Sequence, residues 1–321
     1  MSKKSLAQMA DTLAQMSPDT PDYRKTQKEF LQRYHVARKQ SEESLLGRLS
    51  LKQRQRLHPF LLGVIKLKNR LGGLSVEVLH DRRGDVKEPV IFAVTHVGKN
   101  DVETVSEAIG SHYTLLSGDF ERMQGTINET FLKLNGVVYV CECDKEDRHF
   151  AMERMVAALT KGSNLMYFPE GTWNLSDHLP MLLCYWGIVQ VAQASATAVV
   201  PVAAEQYGKH FVVNIGETIH MEPFGNDKLS AITALRDAMA TLKWEIWESQ
   251  PQMKRHEVRG DEWECFIKAR LKEWPLTLDG VWAAALRPKG IISKEEGFAH
   301  LKNLTPCPSN AFLFDKRLKG C

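Results

Sequence analysis

The chain has 321 residues, of which 43% are hydrophobic and 25% charged, and its 42 basic and 39 acidic side chains leave a formal net charge of +3. This length suffices for a full α/β core, and the composition is that of an ordinary globular protein without low-complexity tracts. The six cysteines contain no C-x-x-C pair and are too sparse for a disulfide framework, so we expect free thiols. The amino terminus lacks the apolar run of a signal peptide, and we expect a cytoplasmic protein.

Residues 1–73 are predicted to form a basic helical region. Between Ser44 and Val76 there is no acidic residue, while basic side chains alternate with leucine, isoleucine, valine and phenylalanine. A basic, apolar helix can lie in the interface of an anionic membrane, and we expect peripheral contact with its inner face. The alternative is a helix that packs its apolar side on the domain and leaves its lysines solvated. The basic residues of this segment are Arg48, Lys52, Arg54, Arg56, Lys66, Lys68 and Arg70.

Residues 74–225 alternate between short apolar runs and amphipathic segments. Strands are predicted at 74–79, 90–94, 113–116, 137–140, 164–168, 198–204 and 211–215, and helices at 101–109, 121–134, 146–160 and 187–196. This alternation predicts an α/β fold, with a mostly parallel central sheet flanked by helices. Residues 226–321 are predicted to form a C-terminal helical extension, with one long amphipathic helix at 229–248.

The stretch 180–204 carries no charge and is long enough in principle to cross a bilayer. It contains two prolines and several polar residues, including Gln190 and Gln193. We therefore interpret it as a core helix followed by a core strand.

The pattern H-x-x-x-x-D occurs three times, so the pattern alone carries little information. His256 lies in a charged run, and His80 precedes a solvated turn. Only His96 follows a buried strand and precedes a glycine turn and a helix start, with Asp101 at that start. In α/β proteins, ligands gather at the carboxyl ends of parallel strands. Context therefore selects His96 and Asp101 as the candidate functional pair.

A second polar turn, Phe168-Pro169-Glu170-Gly171-Thr172, also follows a predicted strand. The glutamate is held between proline and glycine and can accept hydrogen bonds, while the following amides can bind an anion or an oxyanion. Taken alone, the same residues are also typical of a simple proline-initiated turn.

Together, four segments resemble the glycerolipid acyltransferase superfamily, the lysophosphatidic-acid-acyltransferase-like enzymes. They are T-H-V-G-K-N-D at 95–101, N-G-V-V-Y-V at 135–140, F-P-E-G-T-W at 168–173 and V-V-P-V at 199–202. The resemblance implies transfer of a fatty acyl group from acyl-CoA or acyl-ACP, as co-substrate, to the hydroxyl of a lysolipid-type acceptor. It implies a general base at His96 oriented by Asp101, and acceptor binding by Glu170, Gly171, Thr172 and Gly136. We expect no cofactor, no metal and no nucleic-acid partner.

Two departures from the family pattern concern the acceptor. An arginine usually follows the threonine of the third motif and another ends the second motif, but here Trp173 and the vicinity of Glu142 stand in those places. Either Lys145, Arg148 or another cation substitutes for them, or the acceptor carries a different head group. Two other functions stay open: a catalytically inactive member of the fold that binds lipid or acyl thioester, and a thioester hydrolase.

Overall fold

The computed structural model describes residues 5–17, 19–86, 88–98, 100–175 and 179–250, together with positions 265, 268, 269 and 271. In these ranges it has the helices α1 (Leu6–Ala14), α2 (Pro21–Glu43), α3 (Leu51–Leu71), α4 (Asp101–Ile109), α5 (Phe120–Met123), α6 (Ile127–Asn135), α7 (Lys145–Thr160), α8 (Gly187–Ser195) and α9 (Lys228–Ser249). Its strands are β1 (Ser75–Asp81), β2 (Ile91–Val94), β3 (Tyr113–Ser117), β4 (Val137–Tyr139), β5 (Asn164–Tyr167), β6 (Val199–Tyr207) and β7 (His210–Ile215).

The seven strands form one sheet in the order β1-β7-β6-β2-β5-β3-β4. β2 pairs in parallel with β6, and β3 with β4, while β6 and β7 are antiparallel neighbours. β1 completes the edge by pairing in parallel with β7. The predicted α/β class with a mostly parallel, helix-flanked sheet is therefore confirmed.

By contacts the chain divides into two compact units, Met1–Val64 with Ser111–Leu165, and Ile65–Gly110 with Met166–Cys321. We call them the smaller and the larger unit. The boundaries predicted from the sequence at residues 73 and 225 stay predictions, and most of the stretch beyond residue 250 lies outside the described residues.

The larger unit is built on strands that are buried on both faces. All four residues of β2 are at most 1% exposed, as expected of a central parallel strand. α9 packs on β6 and β7 through a cluster that includes Ala203, Val212, Leu242 and Ile246. Pro180 to Ala204, the uncharged stretch, contributes α8 and much of β6 to this core. None of the described helices is long and apolar enough to cross a membrane.

The smaller unit has its own core, in which the N-terminal helices participate. It brings together α1, α2, α5 and β4 through a cluster of buried side chains: Leu6, Met9, Phe30, Tyr34, Phe120, Tyr139 and Cys141. The single helix predicted at 121–134 was wrong, because Gly125 adopts a left-handed φ of 74° and Thr126 caps a new helix. The break separates α5 from α6.

Candidate active site

β2 carries His96 to the surface of the larger unit. Thr95, the residue between them, both donates to the main-chain oxygen of Ala204 at 3.2 Å and accepts from its N–H at 2.8 Å. This double hydrogen bond extends the β2–β6 pairing by side-chain contact. His96 then stands at the carboxyl end of a rigid strand, and its side chain is 24% exposed.

Asp101 fixes the imidazole of His96. It is the first residue of α4 and is fully buried, and its Oδ2 lies 2.7 Å from Nδ1 of His96. The same oxygen accepts hydrogen bonds from the N–H groups of Val97 at 2.6 Å and Gly98 at 2.9 Å. These contacts hold Oδ2 in one position beside the imidazole. The Nδ1 proton therefore faces Asp101.

The other imidazole nitrogen is available for chemistry. Nε2 of His96 has no hydrogen-bond partner among the described residues. With Nδ1 protonated toward Asp101, the neutral ring carries its lone pair on Nε2. This is the arrangement of a general base whose tautomer is set by a carboxylate.

Glu170 ties the third motif to the first. It is fully buried, and its Oε2 accepts the main-chain N–H of His96 at 2.9 Å while Oε1 accepts that of Leu182, also at 2.9 Å. Burial raises the pKa of Glu170 above its usual value, although both hydrogen bonds act in the opposite direction. Both oxygens thus hold main-chain groups. Its predicted contact with the acceptor stays a prediction.

The turn after Glu170 fits closely against its own unit. Gly171 has a φ of +63°, and a Cβ there would lie 2.3 Å from Cε2 of Tyr185. The N–H of Tyr185 donates to the carbonyl of Pro169 at 2.7 Å, and that of Asn174 to the carbonyl of His96 at 2.6 Å. Gly171 is therefore required by shape and by backbone conformation. Thr172 is half-buried beside it.

Two aromatic rings flank His96. The Phe168 ring lies 4.5 Å from the imidazole, centroid to centroid, at an interplanar angle of 34°. Trp173 meets the imidazole edge-on at 6.0 Å and is 7% exposed. The sequence analysis noted Trp173 only as a replacement for arginine and assigned no role to Phe168. In the sequence, both aromatic residues lie at the ends of the third motif, and this position could have indicated that they contact His96.

The predicted site residues divide between the two units. His96, Asp101, Glu170, Gly171 and Thr172 all belong to the larger unit. Gly136 belongs to the smaller unit, where it ends α6 with a φ of +119°. Its role in acceptor binding stays a prediction.

The second motif lies in the smaller unit as well. Arg148, which the sequence analysis named with Lys145 as a substitute for the missing arginine, donates from Nη1 to the main-chain oxygen of Glu142. This hydrogen bond closes the turn between β4 and α7.

Of the two other H-x-x-x-x-D matches, His80 lies exposed on β1, and the match at 256–261 lies outside the described residues. The described residues contain no group of three side chains arranged to hold a metal ion.

Comparison with known proteins finds a family domain and a similar fold. The sequence profile of the family described as Acyltransferase matches residues 75–205. The fold is similar to the crystal structure of the 1-acyl-sn-glycerophosphate (LPA) acyltransferase PlsC from Thermotoga maritima, with a TM-score of 0.51 and 14% sequence identity over 69% of this chain and 90% of that chain. No curated protein matches the sequence. Residues 75–205, which contain the His96–Asp101 pair and the third motif, thus match a domain of the acyltransferase family.

Proposed function

We propose that this protein transfers a fatty acyl group from acyl-CoA or acyl-ACP to the hydroxyl of a lysolipid-type acceptor, with His96 as the general base. The observation that supports this most directly is the 2.7 Å contact between Nδ1 of His96 and Oδ2 of Asp101, while Nε2 has no hydrogen-bond partner among the described residues. A positioned base of this type contributes about 10² to 10⁴ in rate.

In the proposed reaction, Nε2 of His96 takes the proton of the acceptor hydroxyl as the oxygen attacks the thioester carbonyl. The new C–O bond forms, the C–S bond breaks, and the thiolate leaves with the proton returned from the imidazolium. Asp101 stabilises the imidazolium between these steps. No serine or cysteine nucleophile is needed because the thioester is already activated.

The acceptor in this proposal differs from a simple glycerol phosphate in its head group. Trp173 occupies the place of the arginine that follows the third motif in the family, and its ring packs against His96 with only 7% exposure. An indole offers apolar surface and one N–H donor, and it cannot neutralise a phosphate. A lysolipid or a related amphipathic alcohol without a terminal phosphate monoester suits such a wall better.

In this proposal α3 brings the enzyme to an anionic membrane surface, where its acceptor is found. Phe60, Leu67 and Leu71 fall on one side of the helix and are 70%, 57% and 81% exposed. Arg56 and Arg70, also exposed, flank this apolar stripe. Exposed large apolar residues bordered by basic ones are typical of helices that lie in the membrane interface.

One assay separates transfer from the two alternatives. Purified protein is incubated with a long-chain acyl-CoA, or with acyl-ACP, and a panel containing lysophosphatidic acid, zwitterionic lysolipids and monoacylglycerol, and both thiol release and lipid products are followed. We expect product that depends on the acceptor and is lost in His96→Ala but retained in His80→Ala, a change at the exposed histidine of β1. Thiol release without lipid product would identify a hydrolase, and binding without turnover an inactive member of the fold.

A further inference from the structure

The smaller unit contains a cavity of about 300 Å³ that shares no residue with the His96–Asp101 pair. It opens between α3, α7 and the starts of strands: Thr114 lies at the beginning of β3, and Gly136 and Ser163 immediately precede β4 and β5. Ligands of parallel sheets usually bind beyond the carboxyl ends of the strands, where His96 follows β2. This cavity, at the amino ends of strands, therefore differs in position from the usual ligand site at the carboxyl ends.

The walls of the cavity are strongly basic. Its lining has one acidic residue, Glu42, and four basic residues, which are Arg54, Lys133, Arg154 and Lys161. Arg154 pairs with Glu42, and Lys133 lies 2.9 Å from Glu129. Arg54 and Lys161 have no carboxylate partner within the described part of the chain. Two positive charges are thus left uncompensated.

The guanidinium of Arg54 is held by main-chain oxygens of the turn before α3, and one of its nitrogens is left without a partner among the described residues. Its Nε and Nη2 donate to main-chain oxygens of Leu49 at 3.0 Å and Gly47 at 2.9 Å. Nη1 is buried and finds no partner among the described residues. Burial lowers the pKa of Arg54, and no acidic group offsets this effect. A half-buried guanidinium with one buried, unpaired nitrogen and no counter-ion in the described part of the chain is unfavourable, and a bound anion would lower that cost.

A second spare donor comes from Tyr139, which lines the same cavity and is 2% exposed. Its hydroxyl is also buried without a partner within the described ranges. Burial, with Glu129 and Glu42 nearby, raises the pKa of Tyr139, so the phenol keeps its proton and can donate it. Buried polar groups are nearly always hydrogen-bonded, and two unpaired donors in one basic cavity point to a missing acceptor.

Gly136 keeps the space open beside Arg54. A Cβ at this position would lie 3.5 Å from Cδ of Arg54 and 3.2 Å from the hydroxyl oxygen of Thr114. The remaining walls combine apolar residues, such as Leu51, Val137 and Ala158, with the hydroxyl groups of Ser41, Thr114 and Ser163. The volume is at the small end of the range for ligand cavities and suits a small ligand.

We propose that this cavity binds a small phosphate monoester, held by Arg54, Lys161 and the hydroxyl of Tyr139. A phosphate monoester carries a charge of about −1.5 to −2 at neutral pH and several strong acceptor oxygens, which match two uncompensated cations and two spare donors. A carboxylate would neutralise only one of the cations. The site is separate from His96, Asp101 and the third motif, whereas Gly136 and Tyr139 belong to the second motif at 135–140.

The test is calorimetric titration of the full chain with glycerol 3-phosphate and with inorganic phosphate, at constant ionic strength, against inorganic sulfate as a second anion. We expect saturable binding of the phosphates. Tyr139→Phe, which removes one oxygen, and Lys161→Gln, at the exposed rim, should each weaken it about tenfold. Lys25→Gln, an exposed lysine on α2, is the matched control and should leave it unchanged.

Arg54→Gln should abolish binding, and circular dichroism shows whether that variant folds. If it does not fold, the Tyr139 and Lys161 variants decide. Binding that is kept in His96→Ala but weakened in the Tyr139 and Lys161 variants assigns the phosphate to the cavity. Inorganic phosphate distinguishes the phosphate group itself from its carbon skeleton. The proposal would be overturned by absence of saturable binding or by equal binding of sulfate. It would also be overturned if binding were lost in His96→Ala yet kept in Tyr139→Phe and Lys161→Gln.

Discussion

Glu170 accepts the main-chain N–H of His96 across 74 positions of sequence, at 2.9 Å. This single hydrogen bond joins the first and third acyltransferase motifs. The side chain of His96 is oriented by Asp101 and its backbone by Glu170, so two carboxylates control one imidazole through different atoms. The role of each carboxylate can be tested by its own substitution.

Asp101→Asn should lower the rate of acyl transfer about 10² to 10⁴-fold with little change in fold. An amide oxygen in the place of Oδ2 can still accept from Val97, Gly98 and Nδ1 of His96, but the amide removes the negative charge that stabilises the imidazolium. Initial rates measured against pH, with circular dichroism of both proteins, check this. Asp85→Asn, in the exposed match His80–Asp85, is the control and should keep full activity. An Asp101→Asn enzyme of normal rate would remove the His–Asp mechanism.

Glu170→Gln should lower the free energy of unfolding by about 1–3 kcal/mol. Both oxygens of Glu170 accept main-chain N–H groups, and an amide NH₂ must face one of those donors in either orientation. Denaturant unfolding measures the loss. The exposed substitution Glu217→Gln should have no comparable effect.

The same Glu170→Gln variant should also have a reduced kcat at temperatures where it is fully folded, because His96 loses a backbone anchor. A shifted pH–rate profile would accompany the change, which loss of stability alone does not produce. Unchanged kcat and pH profile would limit Glu170 to a structural role.

Replacing Phe60, Leu67 and Leu71 together by serine should weaken sedimentation with anionic vesicles at least tenfold. Transfer of each large apolar side chain from water into the membrane interface is favourable, and serine lacks this contribution. Arg56→Gln with Arg70→Gln should reduce the dependence on anionic lipid, at about 1 kcal/mol for each charge. Lys68 is a poorer choice for this purpose, because it pairs with Glu103.

Val36→Ser provides the apolar control for these vesicle experiments. Val36 lies on α2 and is 59% exposed, so it resembles the α3 residues in exposure but lies outside the stripe. Its replacement should leave sedimentation unchanged. If the unaltered chain fails to sediment with anionic vesicles, α3 has no membrane role.

Glu121→Gln should stabilise the protein at pH 7 and have little effect near pH 4.5. Burial, reinforced by Asp119 and Glu142, raises the pKa of Glu121 from 4.5 to about 7. The folded state therefore holds a proton that the unfolded chain releases, so stability from this group is present at low pH and is lost as pH rises from 4.5 through 7. The gain at pH 7 is at most about 3 kcal/mol. Thermal unfolding of both proteins at several pH values checks it, and parallel curves would contradict it.

The elements that the sequence predicted best are those decided by local pattern. The apolar run of β2 and the helix start at Asp101 are read from periodicity and capping, and both are found where expected. The inward orientation of Glu170 and the stacking of Phe168 on His96 depend on partners that are distant in sequence or on a turn conformation. The cavity escaped prediction for the same reason, because Arg54 and Tyr139 come from segments with no shared pattern.

The assembly of the active site is tied to the order in which the chain folds. A nascent chain that ends before residue 170 contains both His96 and Asp101, yet it lacks the carboxylate that anchors the histidine backbone. We therefore expect competence for acyl transfer only once β5 and the turn after it have joined the sheet. Acquisition of activity during refolding would therefore report completion of the native topology, whereas helix formation, which is local, precedes it.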